Sequence, residues 1–348
     1  MTATDQQIDS PGLARLRLCR DLEAQIPTLW AIQDAARVAD GEIERNSLAG
    51  FATYYRHLER CDPTRDLVVA EVDGTAVGYA RVEWNDSNEG ERWYEGMGNV
   101  HPDWRRRGIG TQLLAWTEAR RAEIAAEHEA AGEATDRVRA FTTFVLDGDR
   151  GGAILLERNG YTAFRWFASM QRPDLEDLPE VELPEGFEIR PIARDRAAMR
   201  QVFDADVEAF RDHFGWTEGS DEKFAEFLED PEVDTSLWLV AFAGDEVAGG
   251  VLNGIHVNAD GEASGWLDSV FTRTPWRKKG LARALIARSL IVLRERGLTA
   301  ASLGVDLANA NQALALYESC GFRAISGATA YRKPLPARTA DRPEEASR

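Results

Sequence analysis

The sequence Trp-Arg-Arg-Arg-Gly-Ile-Gly at residues 104–110 has a second copy, Trp-Arg-Lys-Lys-Gly-Leu-Ala, at residues 276–282. Each copy follows a segment typical of a strand and precedes an apolar-periodic segment that predicts a helix. A glycine turn at the start of a helix leaves several backbone N–H groups without partners, and such groups attract anions. Together with the cationic side chains of each copy, they predict a binding site for a phosphate or pyrophosphate.

The similarity between the two halves of the chain extends beyond these turns. The two copies are separated by about half of the 348 residues, which favours one domain used twice. Strand–turn–strand patterns with Asp-Gly or Gly-Asp turns occur at 67–78 and 237–249 and predict two hairpins. After each glycine turn the pattern predicts a helix, a strand and a shorter helix, which ends at Gly160 or Gly321.

The repeat and the composition of the segment between its copies predict the domain boundaries. We expect an N-terminal domain at residues 1–171 and a C-terminal domain at 186–335. Residues 172–185 are rich in proline and acids, which is typical of an extended linker. Residues 336–348 form a polar tail that we expect to be disordered.

The composition excludes several classes of function. A net charge of −18 argues against a nucleic-acid partner, and no apolar run is long enough to cross a membrane. The polar N-terminus lacks the apolar core of a signal peptide, so we expect a cytoplasmic protein. Three cysteines without paired spacing and five scattered histidines predict no metal site. The acidic excess either serves solubility or attracts a cationic amine substrate.

The order of motifs resembles the GNAT superfamily of N-acetyltransferases in both halves, over about residues 13–170 and 186–334. The family pattern is Arg or Gln, two residues, Gly, one residue, then Gly or Ala, and residues 105–110 and 277–282 fit it. The second half also carries the family's later motif, Asn-Gln-Ala-Leu-Ala-Leu-Tyr-Glu-Ser-Cys-Gly-Phe, at 311–322. The resemblance implies two tandem α/β (α+β) domains. Each has a mixed, mostly antiparallel sheet flanked by helices, with its fourth and fifth strands splayed apart.

The resemblance also implies that acetyl-CoA, the co-substrate, binds in the gap between the splayed strands, with no metal. Its pantetheine would pair with the strand before the glycine turn, and its pyrophosphate would lie on the turn. The implied contacts in the second half are Val270, Phe271, Thr272, Arg277, Lys278, Lys279, Gly280, Leu281, Ala282, Arg283 and Asn311. Their first-half equivalents are Gly98, Asn99, Val100, Arg105, Arg106, Arg107, Gly108, Ile109, Gly110 and Thr111.

Acetyl transfer to an amine requires a base for the ammonium, a donor for the developing oxyanion and an acid for the thiolate. By resemblance, the acid is Tyr317, although a tyrosine on this helix face could also be a core residue. Asp268 is the candidate base, or else a solvated strand-end acid, because the more usual family position falls on Gly265 and Trp266. In the first half Leu156 stands opposite Tyr317, so we expect a degenerate, non-catalytic domain that either retains cofactor binding or is structural.

We expect the acceptor to bind on the first helices of the C-terminal domain, or these residues to form a packing corner. The candidate substrate-binding residues are Asp206, Glu208, Asp212, His213 and Trp216. The predicted function is direct transfer of an acetyl or short acyl group, in a ternary complex, to the primary amine of a small molecule. The alternatives are a non-enzymatic acyl-CoA-binding regulator and a protein-lysine acetyltransferase. We expect a monomer or homodimer, without nucleic-acid or membrane partners.

Overall fold

The two glycine turns have the same backbone geometry. Gly108 and Gly280 are the N-cap residues of long helices, with φ of 82° and 83°, in the left-handed region that glycine adopts without steric cost. Two residues earlier, Arg106 and Lys278 also have positive φ, at 64° and 61°. Each turn therefore directs the following backbone N–H groups to one point.

The computed structural model describes residues 14–42, 44–133, 136–258, 261–308 and 313–335, so the predicted tail 336–348 lies outside it. The strands of the first half are β1 (Arg15–Leu18), β2 (Glu44–Arg45), β3 (Leu67–Val72), β4 (Thr75–Asp86), β5 (Glu91–Val100), β6 (Val138–Leu146) and β7 (Thr162–Arg172). Its helices are α1 (Leu22–Ala39), α2 (Leu48–Arg56), α3 (Pro63–Asp66), α4 (Ile109–Ala130) and α5 (Arg150–Arg158).

The second half repeats most of this order. Its strands are β8 (Glu188–Arg190), β9 (Leu239–Ala243), β10 (Glu246–Asn258), β11 (Ala263–Thr272), β12 (Ala301–Asp306) and β13 (Arg323–Pro334). Its helices are α6 (Arg196–Ala209), α7 (Asp221–Glu229), α8 (Leu281–Glu295) and α9 (Ala313–Ser319). The predicted tandem fold is thereby confirmed.

The strands of both halves join one mixed sheet in the order β1-β3-β4-β5-β6-β13-β7-β12-β11-β10-β9-β8, with β2 paired to β10. Pairing is antiparallel except at β5–β6 and β11–β12, which are parallel. These two parallel pairs occupy equivalent places in their halves. In each pair the first strand along the chain leads into the glycine turn, and the second strand leads into the shorter helix. They are the predicted splayed strands.

The halves exchange their last strands. β13, from the second half, pairs with β6 of the first half, and β7, from the first half, pairs with β12 of the second. β7 and β13 also pair with each other in the middle of the sheet. The predicted boundaries at residues 171 and 186 describe the order along the chain, but the sheet itself crosses them.

Helices cover both faces of the second-half sheet. Leu285, Ile286, Leu290 and Leu293 form the buried stripe of α8, as their spacing predicts, and pack with Met170 of β7. The opposite face carries a second cluster, formed by residues of α6 and α7 with β9, β10 and β11. Met170 shows that the exchanged strand supplies part of the second-half core.

The exchanged strand β13 likewise completes the core of the first half. Tyr331 is buried there against first-half side chains, including Tyr94, Phe141 and Tyr161. No helix among the described residues has both the length and the apolarity that a membrane span requires.

We predict that Tyr331→Ala destabilises the protein by about 3 kcal/mol, because truncating a buried aromatic side chain loses burial and leaves a cavity. Ile325→Ala is the matched control, since Ile325 lies on the same strand with 46% of its surface exposed, and it should cost less than about 0.5 kcal/mol. Urea denaturation measures both. Equal losses in the two variants would contradict the exchanged-strand core.

Candidate active site

A cleft opens where β11 and β12 separate. The two strands pair only at Gly265–Ala301 and Trp266–Ser302, after which the gap widens into a cleft of about 860 Å³, here called the second-half cleft. Among its walls are residues 267–272 of β11 and 304–306 of β12. The edge of β11 that faces the gap can therefore pair with an extended ligand, as an added strand would.

The glycine turn forms one end of this cleft. Of the predicted cofactor contacts, the lining includes Val270, Phe271, Thr272, Arg277, Lys278, Gly280, Leu281, Ala282 and Arg283. Lys279 is exposed beside the turn but does not line the cleft, and Asn311 lies outside the described residues. Within the described part of the chain, no side chain caps the N-terminus of α8, so its first N–H groups can receive an anion.

Arg277 is tied to the turn by contacts within the protein. Its guanidinium donates to the carbonyl oxygens of Thr272 (3.0 Å) and Ala209 (2.7 Å) and forms an ion pair with Asp212. Arg105 repeats this arrangement with the Val100 carbonyl oxygen and Asp40. Because these contacts fix and neutralise the guanidinium, Lys278 and Arg283 are the cationic residues of the cleft best placed for a pyrophosphate.

Tyr317 contributes a protonated hydroxyl to the second-half cleft. It lies on α9, is 8% exposed and lines the cleft. Burial raises the pKa of its phenol to about 12, with the neighbouring Cys320 adding a smaller effect. At neutral pH the hydroxyl therefore carries its proton and can donate it to a leaving group.

A β-bulge places Asp268 at the cleft. Along β10, Leu252 pairs with Ser269 and Asn253 pairs with Leu267, so Asp268 is the extra residue of the bulge. Asp268 and Ser269 both line the cleft as a result. A bulge also leaves a backbone N–H outside the ladder, where it can serve as a donor.

His256 is a site residue that the sequence did not indicate. It lies on β10, and its Nε2 is 2.8 Å from Oδ1 of Asp268. No motif surrounds His256, and only the pairing of β10 with β11 brings it to Asp268. The register places His256 opposite Ser264, so the contact depends on the bulge and on the room over Gly254, which the sequence does not reveal.

Only one of the five predicted acceptor-binding residues, His213, lines the second-half cleft, and burial lowers its pKa. Glu208 pairs with Arg273 at 2.7 Å, and the Trp216 indole N–H donates to the Val207 carbonyl oxygen. Asp212 is the partner of Arg277, as described above. These three side chains stabilise the loops around the cleft.

Asp206, the fifth predicted residue, lies behind the bulge. Its carboxyl accepts a hydrogen bond from the Ser269 hydroxyl, and burial raises its pKa to about 6. It therefore acts on the cleft through Ser269. Among the residues that the structure describes, no group of three or more His, Cys, Asp or Glu side chains could hold a metal ion.

The first half has an equivalent but smaller cleft of about 430 Å³, here called the first-half cleft. Leu156 lines it at the place of Tyr317. Of the predicted contacts, the lining includes Gly98, Asn99, Val100, Arg105, Arg106, Gly108, Gly110 and Thr111. Arg107 instead stacks on Trp104, and Ile109 is a core residue.

The first half lacks both the bulge and its acid. β4 and β5 pair without a register shift from Asp86–Arg92 to Gly78–Val100. At the distance before the turn where the second half has Asp268, the first half has Gly96. No carboxylate can therefore enter the first-half cleft from this position.

Arg121 bridges the splayed strands of the first half. Its buried guanidinium donates to the carbonyl oxygens of Tyr94 on β5 (3.2 Å) and Thr142 on β6 (3.1 Å), and to the Tyr161 hydroxyl. The equivalent residue of α8, counted from the turn, is Leu293. An arginine thus occupies the point where these strands part, whereas the second half has an apolar side chain there.

Comparison with known proteins agrees with this fold and cleft. The model for the Acetyltransferase (GNAT) family matches residues 199–322, and that for the Acetyltransferase (GNAT) domain matches residues 63–163. The chain belongs to the GNAT family, and it is an acetyltransferase. Its two matched regions stand in tandem, as the repeated turns predict.

Curated relatives share this length and order. A mycothiol acetyltransferase from Thermobispora bispora is 31% identical, over 90% of this chain and 98% of its own length. Another from Thermomonospora curvata is 30% identical, over 90% and 95% respectively. The match therefore includes both halves of the chain.

Solved structures show the same fold. A GCN5-related N-acetyltransferase from Sphaerobacter thermophilus has a TM-score of 0.64 and 24% identity, covering 95% of this chain and 98% of its own. A tandem GNAT protein from the clavulanic acid biosynthesis pathway has a TM-score of 0.62 and 18% identity, covering 93% and 100%.

The buried carboxyl of Asp206 predicts a pH-dependent stability. Because its pKa is raised from 3.8 to about 6 in the folded protein, folding favours its protonated form. This contribution is present below about pH 4 and is lost as the pH rises through about 6. We predict that Asp206→Asn, which keeps an acceptor for Ser269, is more stable than the parent by about 2 kcal/mol at pH 8.

The same variant should equal the parent protein at pH 4. Urea denaturation at both pH values measures the free energy of unfolding of the variant and of the parent. Subtracting one from the other at each pH cancels the effect of the other carboxyls, which both proteins share. A difference that does not change with pH would contradict the raised pKa of Asp206.

Proposed function

We propose that the second half transfers an acetyl or other short acyl group from acetyl-CoA to the primary amine of a small molecule. The observation that carries this proposal is the protonated Tyr317 hydroxyl in a cleft whose opposite wall is a bulged, splayed strand. Acid, oxyanion donor and base would then come from one cleft. The amine attacks directly in a ternary complex, without a covalent acyl-enzyme.

The cleft supports this co-substrate along its length. The pantetheine chain would pair with the free edge of β11 at residues 270–272. The pyrophosphate would accept hydrogen bonds from the N–H groups at the start of α8, with Lys278 and Arg283 beside it. The thioester would then lie between the bulge and Tyr317.

The chemistry follows from the groups at the thioester. Asp268 lines the cleft and would bind the acceptor ammonium and accept its proton. As nitrogen attacks the carbonyl carbon, the bulge N–H would stabilise the negative oxygen. The C–S bond then breaks, and Tyr317 protonates the thiolate.

We infer that the first half does not catalyse this reaction. Leu156 cannot protonate a thiolate, β5 has no bulge, and the Arg121 side chain occupies the point where β5 and β6 part. Its role would be structural, through β7 and the shared sheet. Cofactor binding at its glycine turn stays a prediction.

The shape of the second-half cleft favours a small acceptor over a protein lysine. First-half residues such as Glu42 and Phe167 line it together with Ala328 of β13, so walls from both halves enclose the acceptor side. The relatives are named for mycothiol, which makes a mycothiol-related amine the first acceptor to test. The net charge of −18 would attract such a cation.

We predict that Tyr317→Phe lowers kcat at least about tenfold, because the thiolate loses its proton donor. Thiol release from acetyl-CoA with a panel of amines, including mycothiol-related ones, measures turnover. Tyr331→Phe is the matched control, since its hydroxyl makes only a 3.5 Å contact with Glu157 in the first half. Unchanged turnover in Tyr317→Phe would remove this residue from the mechanism.

We also predict which glycine turn holds the pyrophosphate during turnover. The double change of Lys278 and Lys279 to alanine should raise KM for acetyl-CoA at least about fivefold, and less at high salt, because it removes two cations whose attraction salt screens. Arg106 and Arg107 changed together to alanine should leave KM and kcat near the parent values. If the change at Arg106 and Arg107 raised KM and the change at Lys278 and Lys279 did not, the working site would lie in the first half. If the parent protein bound acetyl-CoA without turnover, it would be a regulator.

A further inference from the structure

His256 and Asp268 form a hydrogen-bonded pair at the edge of the second-half cleft. Their side chains come from the neighbouring strands β10 and β11, with Nε2 2.8 Å from Oδ1. The Asp268 side chain is 43% exposed and lines the cleft, whereas that of His256 is 12% exposed. The carboxylate therefore faces a ligand, and the imidazole lies behind it.

A glycine makes room for the pair. A Cβ atom on Gly254 would lie 2.4 Å from Oδ2 of Asp268 and 2.7 Å from Nε2 of His256. Any side chain at this position would therefore displace one member of the pair. Trp266 limits the imidazole on another side, with its ring edge-on at 6.0 Å between centroids.

Acidic groups surround the imidazole. Asp230, the C-cap residue of α7, interacts electrostatically with both His256 and Asp268, and Glu232 lies beside Asp230. On β2, which pairs with the end of β10, the nearby cation Arg45 is neutralised by Asp34. Net negative charge therefore lies beside the pair.

We propose that Asp268 and His256 act together as the proton acceptor of the acetyl transfer. Asp268 binds the acceptor ammonium, and the proton that the nitrogen loses passes through Asp268 to Nε2 of His256, whose neutral ring carries its own proton on Nδ1. This inference rests on the proposed function. An isolated aspartate, with an ordinary pKa of about 3.9, is a weak base, whereas imidazole, at about 6.5, is suited to neutral pH.

The proton balance closes without another reactant. The ammonium gives one proton to the pair, and the N–C bond forms. The nitrogen then gives its second proton to solvent, the C–S bond breaks, and Tyr317 protonates the thiolate. The imidazolium then loses its proton to solvent, and the tyrosinate takes one from solvent. The net release is one proton for each acetyl group transferred.

Substitution by glutamine separates proton transfer from positioning. In His256→Gln the amide can fill the place of the imidazole beside Asp268 but cannot take up a proton. We expect kcat to fall at least about tenfold, KM for the amine to stay within about twofold, and the acidic limb of the kcat profile between pH 5 and 9 to disappear. Gly254→Ala should lose kcat to a similar extent. Asp268→Asn should both lower kcat and raise KM.

His128→Gln is the matched control, because it makes the same change at a histidine of the first half, beside Tyr94. It should keep the parent rate and pH profile. Parent-like kcat and pH dependence in His256→Gln would overturn the proposal. The proposal would also be overturned if His256→Ala lost activity and His256→Gln had the parent rate. That result would mean that His256 only positions Asp268.

A second readout does not need the acceptor. Nuclear magnetic resonance of the full-length protein follows the titration of the His256 imidazole, and the pair predicts a lower pKa in Asp268→Asn than in the parent. An identical titration in both proteins would overturn the pair. A different result would overturn the proposed function. In that case the titration shifts as expected, but the parent protein shows no turnover with any amine.

Discussion

The separation of β11 from β12 after two paired positions is the constraint on which the second half depends. Strands that continued to pair would close the cleft and leave no edge of β11 for a ligand. The bulge at Asp268, the start of α8 and Tyr317 all lie along this gap. The local failure of pairing thus places several donors and the Asp268 carboxylate around a single space.

The exchange of last strands explains why a non-catalytic half would be kept. The whole of β12 pairs with β7, from Ala301–Arg172 to Asp306–Phe167, so β7 supports one wall of the gap. Side chains reinforce the same junction, since Arg165 of β7 forms a bidentate pair with Asp306. The first half therefore helps to hold the second-half cleft open, whether or not it binds a ligand itself.

The two halves share one scaffold but differ in the side chains of their clefts. Both keep the left-handed glycine turn and the parallel, splayed strands. The first half has leucine, glycine and arginine where the second has Tyr317, Asp268 and Leu293. The two clefts therefore share their backbone features and differ in the chemical groups of these three side chains.

The sequence predicts the local features well. The turns follow from the conformational demands of glycine, the buried stripe of α8 from helical spacing, and Tyr317 from a family motif. The exchange of β7 and β13 could not be foreseen, because either partner would satisfy the same strand pattern. The bulge at Asp268, its contact with His256 and the pairing of Arg277 with Asp212 all depend on register or on contacts between distant segments.

Hydrogen exchange of the full-length protein, with and without saturating acetyl-CoA, tests the central claim most directly. If the co-substrate pairs with the splayed strand and its pyrophosphate lies on the turn, exchange should slow at residues 270–272 and 281–283. Unchanged exchange in both segments, or slowing confined to residues 98–111 of the first half, would contradict the account.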